Sequence, residues 1–253
     1  MLRHINIGPA ALQTSLVVYL LAFYIAIEVT RRYAPKRNID GNLAQNALTL
    51  SGIAGLLGAR LSYALYNWSI YKGNLGDWFS ITPQGLYMVG GIAFGIIVIF
   101  VYVGWRKVAI RRFLDALVPG IGILLLLVPL GFLADGSVIG KPSTLPWAID
   151  LQQDTRHPTQ VYAMIGSGLA LVIWWKWIRH RSLEGESFLF ILAGNAITWL
   201  FVGLLLAEPA LVLRNYRLVQ ILSWAVIIAV TFLWSLWTDA QLVPEHKETS
   251  FKT

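Results

Sequence analysis

The string Arg156-His157-Pro158-Thr159-Gln160-Val161-Tyr162 sets a fixed cation, a titratable ring, a proline and an amide side by side. Pro158 suits the first turn of a helix, where its missing N–H costs nothing. The free N–H groups of such a turn favour an anion. Arg156 and Gln160 are four apart and share a face, with His157 next to them. A histidine in such a place reads either as a solvated cap or as a proton acceptor. Arg60, in Gly58-Ala59-Arg60-Leu61-Ser62-Tyr63, also has two readings. It can snorkel to headgroups or water, or its planar fork can hold a phosphate. Gly90-Gly91, with Gly95 four beyond, either packs helices closely or admits a headgroup to bare backbone. Lys141 and Gln220 complete the candidate set.

Seven long apolar stretches must position these groups. The chain has 253 residues, 57% hydrophobic and 13% charged, where a soluble domain carries roughly 25% charged residues. The spans are read at 11–30, 46–66, 85–105, 113–133, 158–178, 187–207 and 218–238. Each approaches the ~20 residues a bilayer needs. The expected fold is an all-α polytopic membrane bundle, residues 1–242 in one domain, followed by a short polar cytoplasmic tail at 243–253.

Charge sets the expected orientation. One side carries 13 Lys and Arg, including Arg31, Arg32, Lys36, Arg37, Arg106, Lys107, Arg111, Arg112, Lys176, Arg179 and Arg181, and the other side 6. The positive-inside rule puts the first set in the cytoplasm, so the N-terminus is expected outside and the C-terminus inside. Tryptophans at 68, 78 and 147, and at 105, 174, 177 and 237, fit two interfacial belts. The first span runs into Arg31-Arg32 with no clear cleavage site, which reads as a retained anchor.

Other classes fall away. The net charge of +7 lies in short loops beside apolar spans and does not indicate nucleic acid. Cysteine is absent, which excludes disulfides, thiolate nucleophiles and thiolate metal sites. Four widely spaced histidines give no metal-ligand pattern, and no cofactor is expected. No internal repeat and no paired midplane charges indicate a transporter. Asn195 reads as an interhelical hydrogen bond and Asp115 as a helix N-terminal carboxylate. Arg214 and Arg217 read as surface contacts to lipid phosphate. Glu28 lies about a membrane thickness from Arg60 and is not its expected partner. Arg60, Lys141, Arg156, His157, Gln160 and Gln220 all fall toward the outer leaflet in this topology. The natural guest of such a pocket is an anionic lipid headgroup.

At these residues the chain resembles the prolipoprotein diacylglyceryl transferase family. Gly58-Ala59-Arg60-Leu61-Ser62-Tyr63 is similar to its Gly-Gly-Arg-Ile-Gly-Tyr segment, and Gly90-Gly91 follow at its spacing. Asp115 and Pro119 match the start of its fourth major span, and Gly131 and Gly140 fall in its signature region. Arg156-His157-Pro158-Thr159-Gln160-Val161-Tyr162 is close to its Arg-His-Pro-Ser-Gln-Leu-Tyr string. Gln220-Ile221-Leu222-Ser223 matches its Gln-Ile-Leu-Ser. The resemblance implies transfer of diacylglycerol from phosphatidylglycerol to the lipobox cysteine of a secreted precursor, in a bacterial-type plasma membrane. It implies His157 and Arg156 as catalytic groups, and Arg60, Gly90, Gly91, Lys141, Gln160, Tyr162 and Gln220 around the substrate. The partners are then an anionic phospholipid, the precursor's signal peptide and membrane lipids.

The chain also departs from the family pattern. Val89 stands where the family has a histidine. Pro129, Phe132 and Ser137 replace the signature arginine, asparagine and glutamate. Ala163 replaces a glutamate and Ala207 an arginine. These replacements motivate the alternative expectation, a non-catalytic relative that binds anionic phospholipid or a lipoprotein precursor.

Overall fold

The structure, a computed structural model, describes residues 4–7, 10–73, 76, 78, 85–151, 153–180, 183–207, 212–213 and 216–249. Seven helices among them are long and apolar enough to cross a membrane: Thr14–Arg37, Gly41–Tyr66, Met88–Trp105, Ile110–Asp135, Thr159–Ile178, Glu186–Leu205 and Leu218–Thr238. The protein is an all-α polytopic bundle, as its hydropathy predicts. Leu20, Ile53 and Val101 lie more than half exposed on these helices. Water would not tolerate so broad an apolar surface, whereas lipid does.

The helices are α1 (Thr14–Tyr33), α2 (Gly41–Tyr66), a short α3 (Trp68–Tyr71), α4 (Met88–Trp105), α5 (Ile110–Asp135), α6 (Thr159–Ile173), α7 (Glu186–Leu205) and α8 (Leu218–Thr249). A 3-10 turn, Ala34–Arg37, extends α1, and a π turn, Trp174–Ile178, extends α6. Asp40 caps α2, its side chain accepting from Asn42 N at 3.0 Å. Pro119 and Pro129 lie inside α5, which membrane helices tolerate. The backbone of α8 runs on through Pro244 to Thr249, beyond its apolar span. Glu and Lys in that stretch are good helix formers. Antiparallel pairs join β1 (His4–Ile7) to β2 (Ala10–Gln13), β3 (Ile149–Leu151) to β4 (Asp154–Arg156), and β5 (Val212–Leu213) to β6 (Tyr216–Arg217). Arg3, Arg214 and Asn215 lie outside the described residues.

The chain forms two compact units. One is Ile27–Leu117 and the other joins Met1–Ala26 to Val118–Thr253. In the first, α2 packs on α4 through small residues. A Cβ at Gly91 would lie 2.9 Å from Gly55 O, and one at Gly58 would overlap Phe94. Ser51 Oγ donates to Gly95 O at 3.1 Å, and Tyr87 N donates to Ala59 O at 2.9 Å. These bonds need the close backbones that glycine permits. Glu28 pairs with Arg31 at 2.7 Å and with Arg32.

In the second unit α6, α7 and α8 pack in sequence order. Ser167 Oγ donates to Asn195 Oδ1 at 2.9 Å, joining α6 to α7. Ala163, Val202 and Leu206 form a buried cluster, with Val138, Tyr162, Trp199 and Val219 against it.

Candidate active site

The segment from Gly136 to His157 is held by backbone pairing on both sides of β4. In register with β3, Ile149 faces Arg156 and Leu151 faces Asp154. On its other side Pro142 bridges Arg156, and Ser143 N donates to Thr155 O at 2.9 Å. His157 N donates to Lys141 O at 3.0 Å. The same segment is tied to the end of α7: Lys141 N donates to Leu205 O at 2.8 Å and Ala207 N to Ile139 O at 2.9 Å. A Cβ at Gly140 would overlap the His157 carbonyl oxygen, so this crossing requires glycine.

The first turn of α6 clamps the segment from below. Thr159 Oγ1 donates to Val138 O at 3.1 Å. Gln160 Nε2 donates to Ser137 O at 3.0 Å and Val138 O at 2.8 Å. Both side chains are fully buried. Gln160 therefore fixes the loop with its amide hydrogens. Sequence spacing suggested Gln160 as a ligand, but could not show which carbonyls the loop would offer it.

Arg156 projects from this scaffold with a side chain only 16% exposed. Its Nη2 meets Asp154 Oδ2 at 2.7 Å and its Nη1 donates to Gly140 O at 3.3 Å. Its Nε is buried, with no hydrogen-bond partner among the described residues. An unmade bond on a buried donor costs about 1–3 kcal/mol, and more on a charged group. The guanidinium is thus partly satisfied and keeps one donor for which the described residues supply no acceptor. Asp154 and Arg156 sit two apart on a strand, hence on one face. That partnership becomes visible only once the segment is recognised as a hairpin.

His157 adjoins a cleft of about 550 Å³ whose lining includes Ser143, Thr144, Asp154 and Thr155. Its Nδ1 lies 3.3 Å from Tyr162 Oη, which also receives Trp147 Nε1 at 2.8 Å. Trp147 is the residue that sequence reasoning placed in an aromatic belt and did not connect to the site. Lys141 contributes its backbone to the scaffold, and its side chain is exposed. Gln220 lies on α8, lining a groove of about 410 Å³ with Leu200, Phe201, Leu204, Ile221 and Trp224.

Arg60, Gly90 and Gly91 belong to the other unit. Arg60 is 4% exposed. Its Nε donates to Trp78 O at 3.0 Å and its Nη1 to Gly85 O at 3.2 Å. Its guanidinium carbon stands 5.1 Å from the Tyr71 ring and 5.7 Å from the Tyr63 ring. That is a caged cation, stabilised by carbonyls and aromatic faces. Desolvation, with Tyr66 adding, raises the neighbouring Tyr87 hydroxyl above the ordinary tyrosine value. Gly90 and Gly91 lie in the contact with α2, where a Cβ on Gly90 would overlap Ser62.

The replaced positions are mostly packed with apolar groups. Phe132 meets Tyr19 edge-on at 6.1 Å and Trp199 at 6.5 Å. Ala163 is fully buried with Val202 and Leu206, and Pro129 is buried too. Ser137 turns its N to Asp135 Oδ1 at 2.8 Å and its carbonyl to Gln160. Ala207 pairs through its backbone with Ile139. Val89 is exposed on α4.

Together these features define a multi-pass membrane protein with a hydrogen-bonded hairpin at the start of α6 that carries Arg156 and His157. The chain belongs to the prolipoprotein diacylglyceryl transferase family, whose pattern matches residues 3–236. It is 28% identical over 216 residues to the phosphatidylglycerol–prolipoprotein diacylglyceryl transferase of Finegoldia magna, covering 85% of each chain. The enzyme of the same name from Bordetella avium is 29% identical over 207 residues, with 78% of each chain covered. That of Streptococcus uberis is 24% identical over 238 residues, covering 88% of this chain and 90% of the relative.

Proposed function

We propose that the chain transfers the diacylglyceryl group of phosphatidylglycerol to the lipobox cysteine thiol of a precursor protein. In this reading the work is done at the outer leaflet of a bacterial plasma membrane, with the N-terminus outside and the C-terminus inside. The uneven distribution of Lys and Arg over the loops supports that orientation. The observation that carries the reading is the buried Nε of Arg156, unpartnered among the described residues, in a chain of this family.

In the reaction the thiol sulfur bonds to the glyceryl carbon that carries the phosphate. The C–O bond breaks and its electron pair stays on the phosphate oxygen. Glycerol phosphate leaves, and the thiol proton passes to water. Negative charge grows on phosphate oxygens in the transition state. Donors already aimed at those oxygens stabilise it most. Arg156 supplies such a donor, and its charge makes the hydrogen bond strong. Gly140 O and the β4 pairing hold the guanidinium in place before substrate arrives. His157 stands at the adjoining cleft. Gln160, Gly90, Gly91 and Arg60 serve as positioning and packing groups in this account. Arg60 ties the carbonyls of Trp78 and Gly85 to α2.

The test is transfer itself. Purified protein in nanodiscs is given labelled phosphatidylglycerol and a lipobox peptide, and the thioether product is sought by mass spectrometry. Product above a protein-free control is expected. Saturable lipid binding without product would overturn the transfer reading in favour of a lipid-binding relative.

A further inference from the structure

The Arg156 guanidinium is tied to the end of α7. Its Nη1 donates to Gly140 O at 3.3 Å, and Gly140 bridges Leu206, the residue that caps α7. Two apolar grooves run along the last turns of that helix, one on each flank. The first, of about 300 Å³, lies between α6 and α7, with Tyr162, Ile165, Ile197 and Leu205 in its walls. The second is the groove of about 410 Å³ between α7 and α8, which Leu204 and Gln220 line. Phe201 lines both. It stands four residues from Ile197 and Leu205 and three from Leu204, so it forms the ridge between the grooves.

Both grooves begin beside the Arg156 segment. Leu205 O accepts from Lys141 N at 2.8 Å, and Tyr162 Oη lies 3.3 Å from His157 Nδ1. Gln220 is in the first turn of α8. From Leu205 to Ile197 the first groove descends about 12 Å at the helical rise. Its walls suit hydrocarbon. Thr198, which also lines it, spends its hydroxyl within α7 on Gly194 O at 2.8 Å. A Cβ at Gly166 would overlap Thr198, so glycine there keeps α6 close. Ile165, Phe201 and Leu204 are more than half exposed, and both grooves therefore open sideways to lipid.

We propose that these grooves receive the two acyl chains of one anionic glycerophospholipid, one chain in each, astride Phe201, while Arg156 holds its phosphate. This rests on the transfer reading and deepens it by placing the donor. One glyceryl unit joins one phosphate to two chains. The fold sets one cation at the end of one helix, with an apolar groove on each flank. The chains lie in hydrocarbon whether or not they enter the grooves, so entry adds little affinity. What it fixes is orientation. With the phosphate and both chains held, the glyceryl carbon cannot swing about the phosphate and keeps one face toward the thiol.

The experiment has two arms, both on the whole chain in phosphatidylcholine nanodiscs. In the first, phosphatidylglycerol carrying a photoreactive diazirine in its chains is irradiated, and labelled residues are located by mass spectrometry. Label is expected in both grooves. Excess unlabelled phosphatidylglycerol should displace it, and Arg156→Ala should lose it. Label in one groove only overturns the proposal. So does label that neither excess phosphatidylglycerol nor Arg156→Ala reduces, since the grooves then hold bulk bilayer lipid. In the second arm Ile197→Trp fills the first groove and Leu204→Trp the second. Both positions are about half exposed, so the larger ring does not enter a packed core. Each is expected to lower kcat at least about 10-fold with a smaller change in KM, because misplacing a bound reactant costs rate. Unchanged kcat in both variants overturns the orienting role. The labelling needs no peptide. Displaceable label in both grooves without wild-type product would sustain the chain site and overturn the transfer reading alone.

Discussion

Asp154→Asn is expected to strengthen the chain's grip on anionic lipid. The Asp154 carboxylate occupies Arg156 Nη2 at 2.7 Å, beside the unpartnered Nε. A phosphate that takes Nε and Nη2 together must first displace Asp154. The strength of that competition follows from exposure. Arg156 is 16% exposed but Asp154 is 59% exposed. Two unit charges about 4 Å apart attract by about 1 kcal/mol in water and about 4 kcal/mol at an effective dielectric near 20. The exposed carboxylate pulls the pair toward the lower figure, and ion pairs of this sort measure about 0.2–1 kcal/mol. Removing the charge should lower the KM for phosphatidylglycerol about 2- to 5-fold. The assay is initial transfer rate against lipid mole fraction in nanodiscs, at fixed lipobox peptide. Low salt should enlarge the effect, because surface charges are screened within about 10 Å at 0.1 M. A KM that rises several-fold would refute the reasoning. Asp154 would then hold Arg156 in its working pose and would not compete with phosphate.

Three further outcomes follow from the packing. Ala163→Glu restores a carboxyl that the family carries, but among Val202 and Leu206 it has no partner; thermal unfolding in detergent should show a loss of at least about 2 kcal/mol. An unchanged melting temperature would mean that the cluster opens readily to a polar group. Gln160→Leu removes the donor to Ser137 O and Val138 O, and should speed limited proteolysis between Gly136 and His157 by about 10-fold, the equivalent of about 1.4 kcal/mol. Gly58→Leu drives a side chain into Phe94 and should cost about 1–3 kcal/mol, read as the loss of the folded fraction of purified protein on heating.

The spans were legible because their signal is strong and local. Apolar runs of about 20 residues separated by basic loops leave one economical solution. Helix ends shifted where local chemistry intervened. The second span begins at Gly41 because Asp40 caps it, a few residues before the apolar run does. The first begins at Thr14, after the strand Ala10–Gln13. Asn195 was legible as an interhelical bond because a lone amide in a span has few other uses.

The site was legible only in part. The Arg-His-Pro string marks its place, and the first turn of α6 does begin there. The roles of individual side chains were less visible because their partners are backbone carbonyls from distant segments. Gln160 bonds residues 22 and 23 positions away, and Arg60 bonds the carbonyl of a residue 25 away. Nothing in spacing shows such partners. β3 and β4 have three residues each, too short for a periodic pattern, so the sequence gives no warning that Asp154 and Arg156 share a strand. The replaced family positions could be named from the sequence, but not their surroundings. The structure surrounds Phe132 with Tyr19 and Trp199, and Ala163 with Val202 and Leu206. Repacking of this kind leaves those positions without polar groups, and the proposed transfer rests on Arg156.

The most direct measurement is therefore diacylglyceryl transfer by wild type and Arg156→Ala, with Arg156→Lys in parallel. Each is supplied with labelled phosphatidylglycerol and a lipobox peptide, and thioether product is quantified by mass spectrometry. Wild type should form product. Arg156→Ala should lose roughly 10²-fold in turnover, as when one preorganised donor to developing charge is removed. Arg156→Lys should recover little, because a point charge does not replace the fork. Equal turnover in wild type and Arg156→Ala, or no product from wild type that still binds the lipid, would contradict the account.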